Sequence, residues 1–148
     1  MSGYLFDTSA WLAVVFSSHP THVAAQKRLQ QATAATPVVF CRSTEQSFLR
    51  LCSTPALLKA YGATGLTNRD ALVALQALLA LTQVCERDEP RGTATLWHRL
   101  ASHNLPSPKI WMDAYLAAFA ISGAMVLVSI DQDFKKHVPD GLQLVLLG

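Results

Sequence analysis

Residues 4–15 read YLFDTSAWLAVV, and this stretch decides the fold. The apolar run Tyr4–Phe6 is typical of a short buried strand, and the polar residues 7–9, Asp-Thr-Ser, follow it as a tight turn. Short polar side chains at the start of a helix accept hydrogen bonds from its first free N–H groups, so a helix is expected from about Ala10. The stretch therefore predicts a strand, a turn that carries a carboxylate, and a helix.

The same order of strand and helix repeats along the rest of the chain. Apolar runs predict further strands at 37–41, 83–85, 125–130 and 142–147. Capping residues and one-sided apolar patterns predict helices at 20–34, 43–51, 56–61, 71–81, 93–102 and 108–122. The run 125–130 is continuously apolar, as in strands buried on both faces. We therefore predict an α/β fold, a three-layer α/β/α sandwich with a central parallel sheet, in a single domain spanning 1–148.

The composition excludes several classes of protein. The chain has 148 residues, of which 51% are hydrophobic and 15% are charged, against about 25% charged in a typical domain. This excludes intrinsic disorder, because so apolar a chain buries enough surface to offset its ordering entropy. The net charge of +2 does not indicate a large surface for polyanions. The cysteines show no metal-binding spacing and are expected to be reduced thiols in a cytoplasmic protein.

The longest uncharged segment, Ala114–Ile130, needs comparison with a membrane span. It has 17 residues, just short of the ~20 that cross a bilayer, and Ser122 and Gly123 interrupt it. A buried helix followed by a buried strand explains it better. The N-terminus also lacks the cationic and apolar regions of a signal peptide. We therefore expect a soluble protein with no membrane segment.

Only ten acidic residues are present, and four of them occupy unusual positions. Asp7 and Asp131 directly follow predicted strands, so both lie at the carboxyl edge of the sheet, where such folds bind ligands. Glu45 begins the helix after the second strand, close to the same edge, and Asp113 lies in an almost wholly apolar helix. An unpaired carboxylate there costs several kcal/mol. No basic residue is adjacent in sequence, so Mg²⁺ or Mn²⁺, which prefer oxygen ligands, would supply the countercharge.

Each of these acids also has a structural interpretation. Asp7 and Asp131 would serve as helix N-caps, and Glu45 as a first-turn acid that the helix dipole favours. Asp113 is harder to explain in this way, because a mid-helix Asp among apolar neighbours has poor helix propensity and poor solvation. We expect a purely structural role for any one of these acids far more readily than for all four at once. The set therefore predicts carboxylates around one or two metal ions, an arrangement suited to phosphodiester hydrolysis.

Four motifs in this order resemble those of PIN-domain nucleases. They are LFDTSAWL at 5–12, STEQ at 43–46, DAYLAAFA at 113–120 and VSIDQDF at 128–134. The resemblance extends from residue 5 to about 137, and the size of the chain is similar to that of the VapC-type toxins of bacterial toxin–antitoxin pairs. It implies a Mg²⁺- or Mn²⁺-dependent endoribonuclease that cleaves structured RNA such as tRNA or rRNA. It further implies inhibition by a cognate antitoxin protein, and often a homodimer.

The resemblance also assigns residues by position. It implies that the catalytic and metal-binding acids are Asp7, Glu45, Asp113 and Asp131, with Asp133 supplementing or replacing Asp131. Thr8 and Ser129 match hydroxyl positions that orient ligands or water. The segment 54–81 carries the fewest motif residues, so dimer and antitoxin contacts are expected there.

Several residues outside the motifs are candidates for contact with RNA. Arg42 and Arg50 flank the helix of Glu45, and Lys135 and Lys136 follow the fourth motif, so all four are candidate phosphate ligands. Solvated surface charges are the alternative interpretation for each. Trp97 and Trp111 are expected in the core rather than stacked on bases. His19 and His22 have helical metal-ligand spacing but no third ligand, so surface histidines are expected.

Three other functions compete with this interpretation. A receiver-like phosphoacceptor would need an acidic pair after the first strand and a lysine after the last, and both are missing. A haloacid-dehalogenase-type phosphatase would need Asp-x-Asp-x-Thr, whereas position 9 is Ser9. The serious alternative is a catalytically inactive PIN-fold module that binds RNA or protein, because intact acids do not prove turnover.

Overall fold

A five-stranded parallel sheet forms the centre of the protein, which we describe from a computed structural model covering residues 1–148. The strands are β1 (Tyr4–Phe6), β2 (Val38–Phe40), β3 (Val84–Glu86), β4 (Val126–Ser129) and β5 (Gln143–Leu146). Their order across the sheet is β3-β2-β1-β4-β5, and every neighbouring pair is parallel. The predicted parallel sheet is thus confirmed, including the short third strand.

Seven α-helices and one 3₁₀ helix connect and cover the strands. They are α1 (Thr8–Val15), α2 (His22–Gln31), α3 (Arg42–Leu51), α4 (Pro55–Ala60), α5 (Asn68–Leu79), α6 (Thr93–Ala101), α7 (Ile110–Ser122) and the 3₁₀ helix Gln132–Asp140. The long uncharged segment forms most of α7 followed by β4. None of these helices has the length and apolarity that a membrane crossing requires.

Two separate cores lie on the two faces of the sheet. Successive strand residues point to opposite faces, so Leu5 and Phe6 enter different cores. Helices α1–α5 pack on the larger core with Phe6 and Phe40, and α7 packs on the smaller one with Leu5 and Val39. This arrangement confirms the α/β/α sandwich.

Several predicted boundaries were wrong by a few residues, and one of them matters for the site. Helix α2 begins at His22 rather than Pro20, and Cys41, not Ser43, is the N-cap of α3. Helix α7 begins at Ile110, after Lys109, rather than at Pro108. Asp113 therefore lies in the first turn of α7 and not in the middle of a helix, so the helix dipole favours its charge.

The topology brings the loops after β1 and β4 together at one edge. The two strands are neighbours, with Phe6 opposite Val128. The backbone N–H of Asp7 donates to the carbonyl of Val128 at 3.1 Å, which extends this pairing into the first residue after β1. The residues that follow the two central strands are therefore held side by side at the carboxyl edge of the sheet.

Candidate metal and active site

Asp7 is a buried carboxylate with three hydrogen-bond donors from its own chain. It is the N-cap of α1, and its Oδ1 atom accepts from the N–H of Ala10 at 2.9 Å and from Ser9 Oγ at 2.6 Å. Its Oδ2 atom accepts from Ser129 Oγ. A carboxylate offers about four lone-pair positions, so these contacts fix the side chain and leave capacity for one more ligand. Burial raises the pKa of Asp7, against the opposing effect of these hydrogen bonds.

Ser129 joins Asp7 to the fourth motif. It ends β4 in a fully buried position, and its hydroxyl accepts from the N–H of Asp131 at 2.9 Å while donating to Asp7. Asp131 is in turn the N-cap of the 3₁₀ helix, where its Oδ1 accepts from the N–H of Asp133 at 2.9 Å. The capping roles considered for Asp7 and Asp131 are thus both present, and they hold the two carboxylates in fixed positions.

Asp113 differs from these two because half of its carboxylate has no partner. Its Oδ2 atom is buried and makes no hydrogen bond. Desolvation is the largest cause that raises the pKa of Asp113, and the nearby charge of Asp131 acts in the same direction. The charge of Asp131 also raises the pKa of Asp7. Asp131 is therefore near enough to act electrostatically on both Asp7 and Asp113. A buried acceptor without a donor is costly, and a cation would satisfy it.

Three of the carboxylates are arranged as metal ligands would be. Asp113, Asp131 and Asp133 each offer an oxygen, and these oxygens lie within 4.8 Å of one another. Asp7, Asp113 and Asp131 also line one cavity of about 260 Å³, together with the polar residues Thr8, Ser9, Ser43, Thr44, Ser47 and Lys109. Oxygen-only ligands and an unpartnered buried carboxylate oxygen fit Mg²⁺ or Mn²⁺ well.

Lys109 is a site residue that sequence reasoning missed. Its Nζ lies 2.9 Å from Asp133 and 3.6 Å from Asp131, so these two acids have a basic partner although none is adjacent to them in sequence. Hydrogen bonding to Lys109 lowers the pKa of Asp133, and the pKa of Lys109 is raised. The signal was present in the sequence, because Lys109 precedes Asp113 by four residues and such pairs share a helix face. Asp113 Oδ2 keeps no partner even so.

Glu45 lies apart from the other acids. It does not line the acid cavity; it borders a neighbouring cavity of about 230 Å³ with Arg42, Glu86 and Tyr115. Its Oε2 lies 3.3 Å from the guanidinium of Arg42, which is 78% exposed. Burial, followed by a hydrogen bond with Glu86 and the charge of Glu86, raises the pKa of Glu45 to about 7. The structure thus brings together Asp7, Asp113, Asp131 and Asp133, but not Glu45.

The raised pKa of Glu45 predicts a specific pH dependence of stability. The folded protein holds this proton up to about pH 7, whereas an ordinary glutamate releases it near 4.5. The folded state therefore loses stability on this account as the pH rises from about 4.5 to 7. Glu45→Gln removes this titration. The free energy of unfolding of the variant, relative to that of the unmodified chain, should therefore be higher at pH 8 than at pH 4.5. Urea unfolding in EDTA at the two pH values measures this difference.

Glu86→Gln is the matched control for this prediction. It removes the hydrogen bond and the charge that help to raise the pKa of Glu45, so it should reduce the same pH dependence without touching Glu45. The raised pKa of Glu45 would be contradicted if the free energies of unfolding of Glu45→Gln and the unmodified chain differed by the same amount at both pH values.

The candidate phosphate ligands are all exposed, but they differ in position. Lys136 acts electrostatically on Asp113, whereas Arg50 borders a different cavity with Leu72. Arg42 is engaged with Glu45 and lies 4.0 Å from Glu86. Lys135 is exposed on the 3₁₀ helix. Lys109 and Lys136 are therefore the lysines placed to act on the acid cluster.

The expectation that Trp111 belongs to the core was wrong. Its side chain is 48% exposed, and Trp97, which contacts it, is only partly buried. The first turn of α7 places Asp113 at the acid cavity and leaves Trp111 beside that cavity in solvent. His19 and His22 are partly exposed, and their Nδ1 atoms contact Thr21 and the carbonyl of Ala13.

Comparison with known proteins agrees with the motifs. The family model of the PIN domain matches residues 4–138. Ribonuclease VapC41 of Mycobacterium tuberculosis, found in two strains, is 42% identical over 145 residues, which cover 97% of this chain and 98% of the relative.

Solved structures of similar proteins share the fold. VapBC2 from Rickettsia felis, crystallised with a DNA fragment from its promoter, aligns with a TM-score of 0.68 at 14% identity and 98% coverage of both chains. VapBC-1 from nontypeable Haemophilus influenzae gives 0.63 at 15% identity, covering 97% of this chain and 96% of the other. VapC20 of Mycobacterium tuberculosis, described as a toxin that cleaves the sarcin-ricin loop, gives 0.62 at 19%, covering 95% and 96%.

Proposed function

The chain belongs to the PIN-domain family, and we propose that it is a VapC-type endoribonuclease toxin that needs Mg²⁺ or Mn²⁺ and cleaves structured RNA. The relative named as a ribonuclease is similar over nearly the full length of both chains. A solved structure of the same fold is described as cleaving the sarcin-ricin loop, which favours tRNA or rRNA as the class of substrate.

One observation carries the proposal: a buried carboxylate oxygen without a partner, at a cluster of acids in a cavity. Asp113 Oδ2 is that atom, and oxygens of Asp131 and Asp133 lie within 4.8 Å of a carboxylate oxygen of Asp113. Such a cluster would be unfavourable in a chain with so few charges unless a cation bound there. The acids would hold Mg²⁺ or Mn²⁺, which supplies polarisation of the phosphoryl oxygen and eases deprotonation of water near neutral pH.

The residues around the acids have distinct roles in this proposal. Ser9 and Ser129 hold the carboxylate of Asp7 in one orientation, so that its remaining lone pair faces a fixed direction. Lys109 is largely exposed, and its ammonium offsets the charge of Asp133 at the mouth of the cavity. A phosphate of the RNA would lie near Lys109 and Lys136, which stand beside the acids. Their positive charges reduce the repulsion between the phosphate and the carboxylates.

Glu45 is retained as a proposed fourth acid, although it lies in the neighbouring cavity. It stands on α3, whose residues Ser43, Thr44 and Ser47 line the acid cavity. Its ion pair with the exposed Arg42 is weak because solvent screens it. We propose that Glu45 supports the site from this position, with Thr8 as a further polar group in the cavity.

An antitoxin partner, a homodimer and a cytoplasmic location complete the proposal. Two of the solved structures of this fold are VapBC complexes, which favours an antitoxin that covers this chain as well. The segment 54–81 contains the exposed apolar side chains Leu66, Leu72 and Val73, so contacts with the antitoxin and with a second copy are proposed there.

The test is cleavage of total bacterial RNA by the purified chain. Discrete fragments of tRNA or rRNA are expected with Mg²⁺ or Mn²⁺, and none with EDTA. Expression in a bacterial host without an antitoxin should arrest growth. Binding of RNA without fragments and without growth arrest would overturn the enzyme and favour the inactive PIN-fold module instead.

A further inference from the structure

An exposed aromatic surface lies directly beside the acid cavity. We call Trp97, Trp111 and Met112 the aromatic platform. Trp111 is 48% and Met112 is 58% exposed, and together with Trp97, Ser43 and Tyr115 they line a cavity of about 250 Å³. A group of large apolar side chains that are exposed together marks a binding surface more often than a single exposed one does.

Contacts within the fold support the two tryptophan rings of the platform. Trp97 Nε1 donates to the backbone carbonyl of Trp111 at 2.7 Å and so ties α6 to α7. The ring of Trp97 meets the rings of Trp111 and Tyr115 edge-to-face, at centroid distances of 6.2 and 5.3 Å. Tyr115 is fixed in turn by a hydrogen bond of 2.8 Å to Glu89. A ligand that stacks here would not have to order a flexible side chain first, which favours binding.

The platform and the acid cavity form one continuous surface. Ser43 and Met112 line both cavities. Met112 stands between Trp111 and Asp113 on α7 and lines both cavities, so the platform adjoins the cavity that Asp113 lines. Lys109 lines the acid cavity and supplies a positive charge there. An occupant with a flat apolar part and an adjoining anionic part matches both halves of the surface.

We propose that an unpaired nucleobase of the RNA substrate stacks on Trp111 while the neighbouring phosphate lies at the acid cavity. This inference rests on the proposed nuclease function and names how that site recognises RNA. Any base can stack on an aromatic ring, but the base must be unpaired and outside an RNA helix. The platform therefore favours single-stranded nucleotides and does not distinguish one base from another.

The test measures binding of a labelled single-stranded oligoadenylate RNA by fluorescence anisotropy in EDTA. Trp111→Ala should weaken binding about tenfold, whereas Trp111→Phe should retain most of the affinity because it keeps an aromatic face. An abasic oligomer of the same length should bind the unmodified chain and Trp111→Ala equally. Val23→Ala, which removes an exposed apolar side chain on α2, away from the platform and the acid cavity, is the matched control and should leave binding unchanged.

Tryptophan fluorescence gives a second measurement on the same complex. Trp11 is fully buried, so quenching by acrylamide reports on Trp97 and Trp111. Oligoadenylate should protect this signal and the abasic oligomer should not. If Trp111→Ala does not fold, Trp111→Leu and Trp111→Phe replace it, because both keep apolar bulk and only the second keeps a ring.

The outcomes separate this inference from the proposed function. Equal affinity of Trp111→Ala and the unmodified chain for oligoadenylate overturns the platform even if Mg²⁺-dependent cleavage is present. A change in oligomeric state on Trp111→Ala with unchanged RNA binding also overturns it, and assigns the surface to a second copy of the chain. Stacking of oligoadenylate, combined with no cleavage of total bacterial RNA in Mg²⁺ or Mn²⁺, supports the platform and overturns the nuclease.

Discussion

Replacement of Asp113 by Asn is expected to slow RNA cleavage about a thousandfold or more. The variant keeps the shape of the side chain but loses the charge that would bind a cation, and metal polarisation of a phosphoryl group contributes several kcal/mol to the barrier. Each 1.36 kcal/mol corresponds to a tenfold change in rate. The measurement is the initial rate of RNA cleavage at saturating Mg²⁺ or Mn²⁺.

The stability of the same variant separates a metal ligand from a structural acid. Asp113 Oδ2 is buried without a partner, and burial raises the pKa of this carboxyl, so the ionised group costs stability when no metal is bound. Metal-free Asp113→Asn should therefore be at least as stable as the unmodified chain at pH 7. Mg²⁺ or Mn²⁺ should raise the melting temperature of the unmodified chain and not that of the variant.

Two comparisons complete this experiment. Asp140→Asn removes an exposed carboxylate outside both the acid cavity and the cavity of Glu45, and should leave cleavage unchanged. Asp7→Asn keeps a side-chain oxygen for the cap of α1 and should abolish cleavage as Asp113→Asn does. Undiminished cleavage by Asp113→Asn, or a large fall in its metal-free melting temperature, would contradict the assignment of this acid to a metal.

The sequence was sufficient to predict the sheet and the edge at which the acids lie. Strands buried on both faces leave continuous apolar runs, and a parallel sheet places the ends of all its strands at one edge. Asp7 and Asp131 follow adjacent strands, so their proximity follows from topology alone. Helix boundaries are less strongly encoded, because capping contributes only about 1 kcal/mol and neighbouring residues compete for the role.

What could not be predicted depends on side-chain direction. Helix α7 begins two residues later than predicted, which places Asp113 in its first turn and makes Lys109 its N-cap residue. Glu45 and Ser43 lie on the same helix, yet Glu45 borders the cavity of Glu86 and Ser43 that of Asp113. Trp111 was expected in the core because aromatic residues usually bury area, and hydropathy does not distinguish a core face from a binding face.

The structural and metal-binding interpretations of the acids are not alternatives. Asp7 caps α1 and Asp131 caps the 3₁₀ helix, and both caps use only part of each carboxylate. A site that binds a small, geometrically demanding ion such as Mg²⁺ needs ligands that are fixed before the ion arrives. Capping contacts fix these two side chains at the strand ends, so the same hydrogen bonds that stabilise the helices also orient the proposed ligands.

Replacement of Trp11 by Ala is expected to lower the free energy of unfolding by about 3–5 kcal/mol. Trp11 is fully buried on α1, and its ring stacks on Phe40 at a centroid distance of 3.8 Å and meets Phe6 at 5.1 Å. Its removal leaves a cavity between α1 and the two strands that carry these rings. Urea unfolding followed by circular dichroism measures the loss, and Val23→Ala, at an exposed position on α2, should cost less than about 0.5 kcal/mol.

Trp11→Phe distinguishes the contribution of the ring from that of the indole N–H. The Nε1 atom of Trp11 is buried without a hydrogen-bond partner, so removing it relieves a desolvation cost while the phenyl ring keeps much of the contact with Phe40. The loss for Trp11→Phe should therefore be well below that for Trp11→Ala. Equal losses for the two variants would contradict this prediction, because both remove the N–H and only Trp11→Phe keeps a ring against Phe40. The N–H of Trp11 donates to the carbonyl of Asp7 at 3.1 Å, so the packing of this ring also anchors the first turn of α1 beside the capping carboxylate.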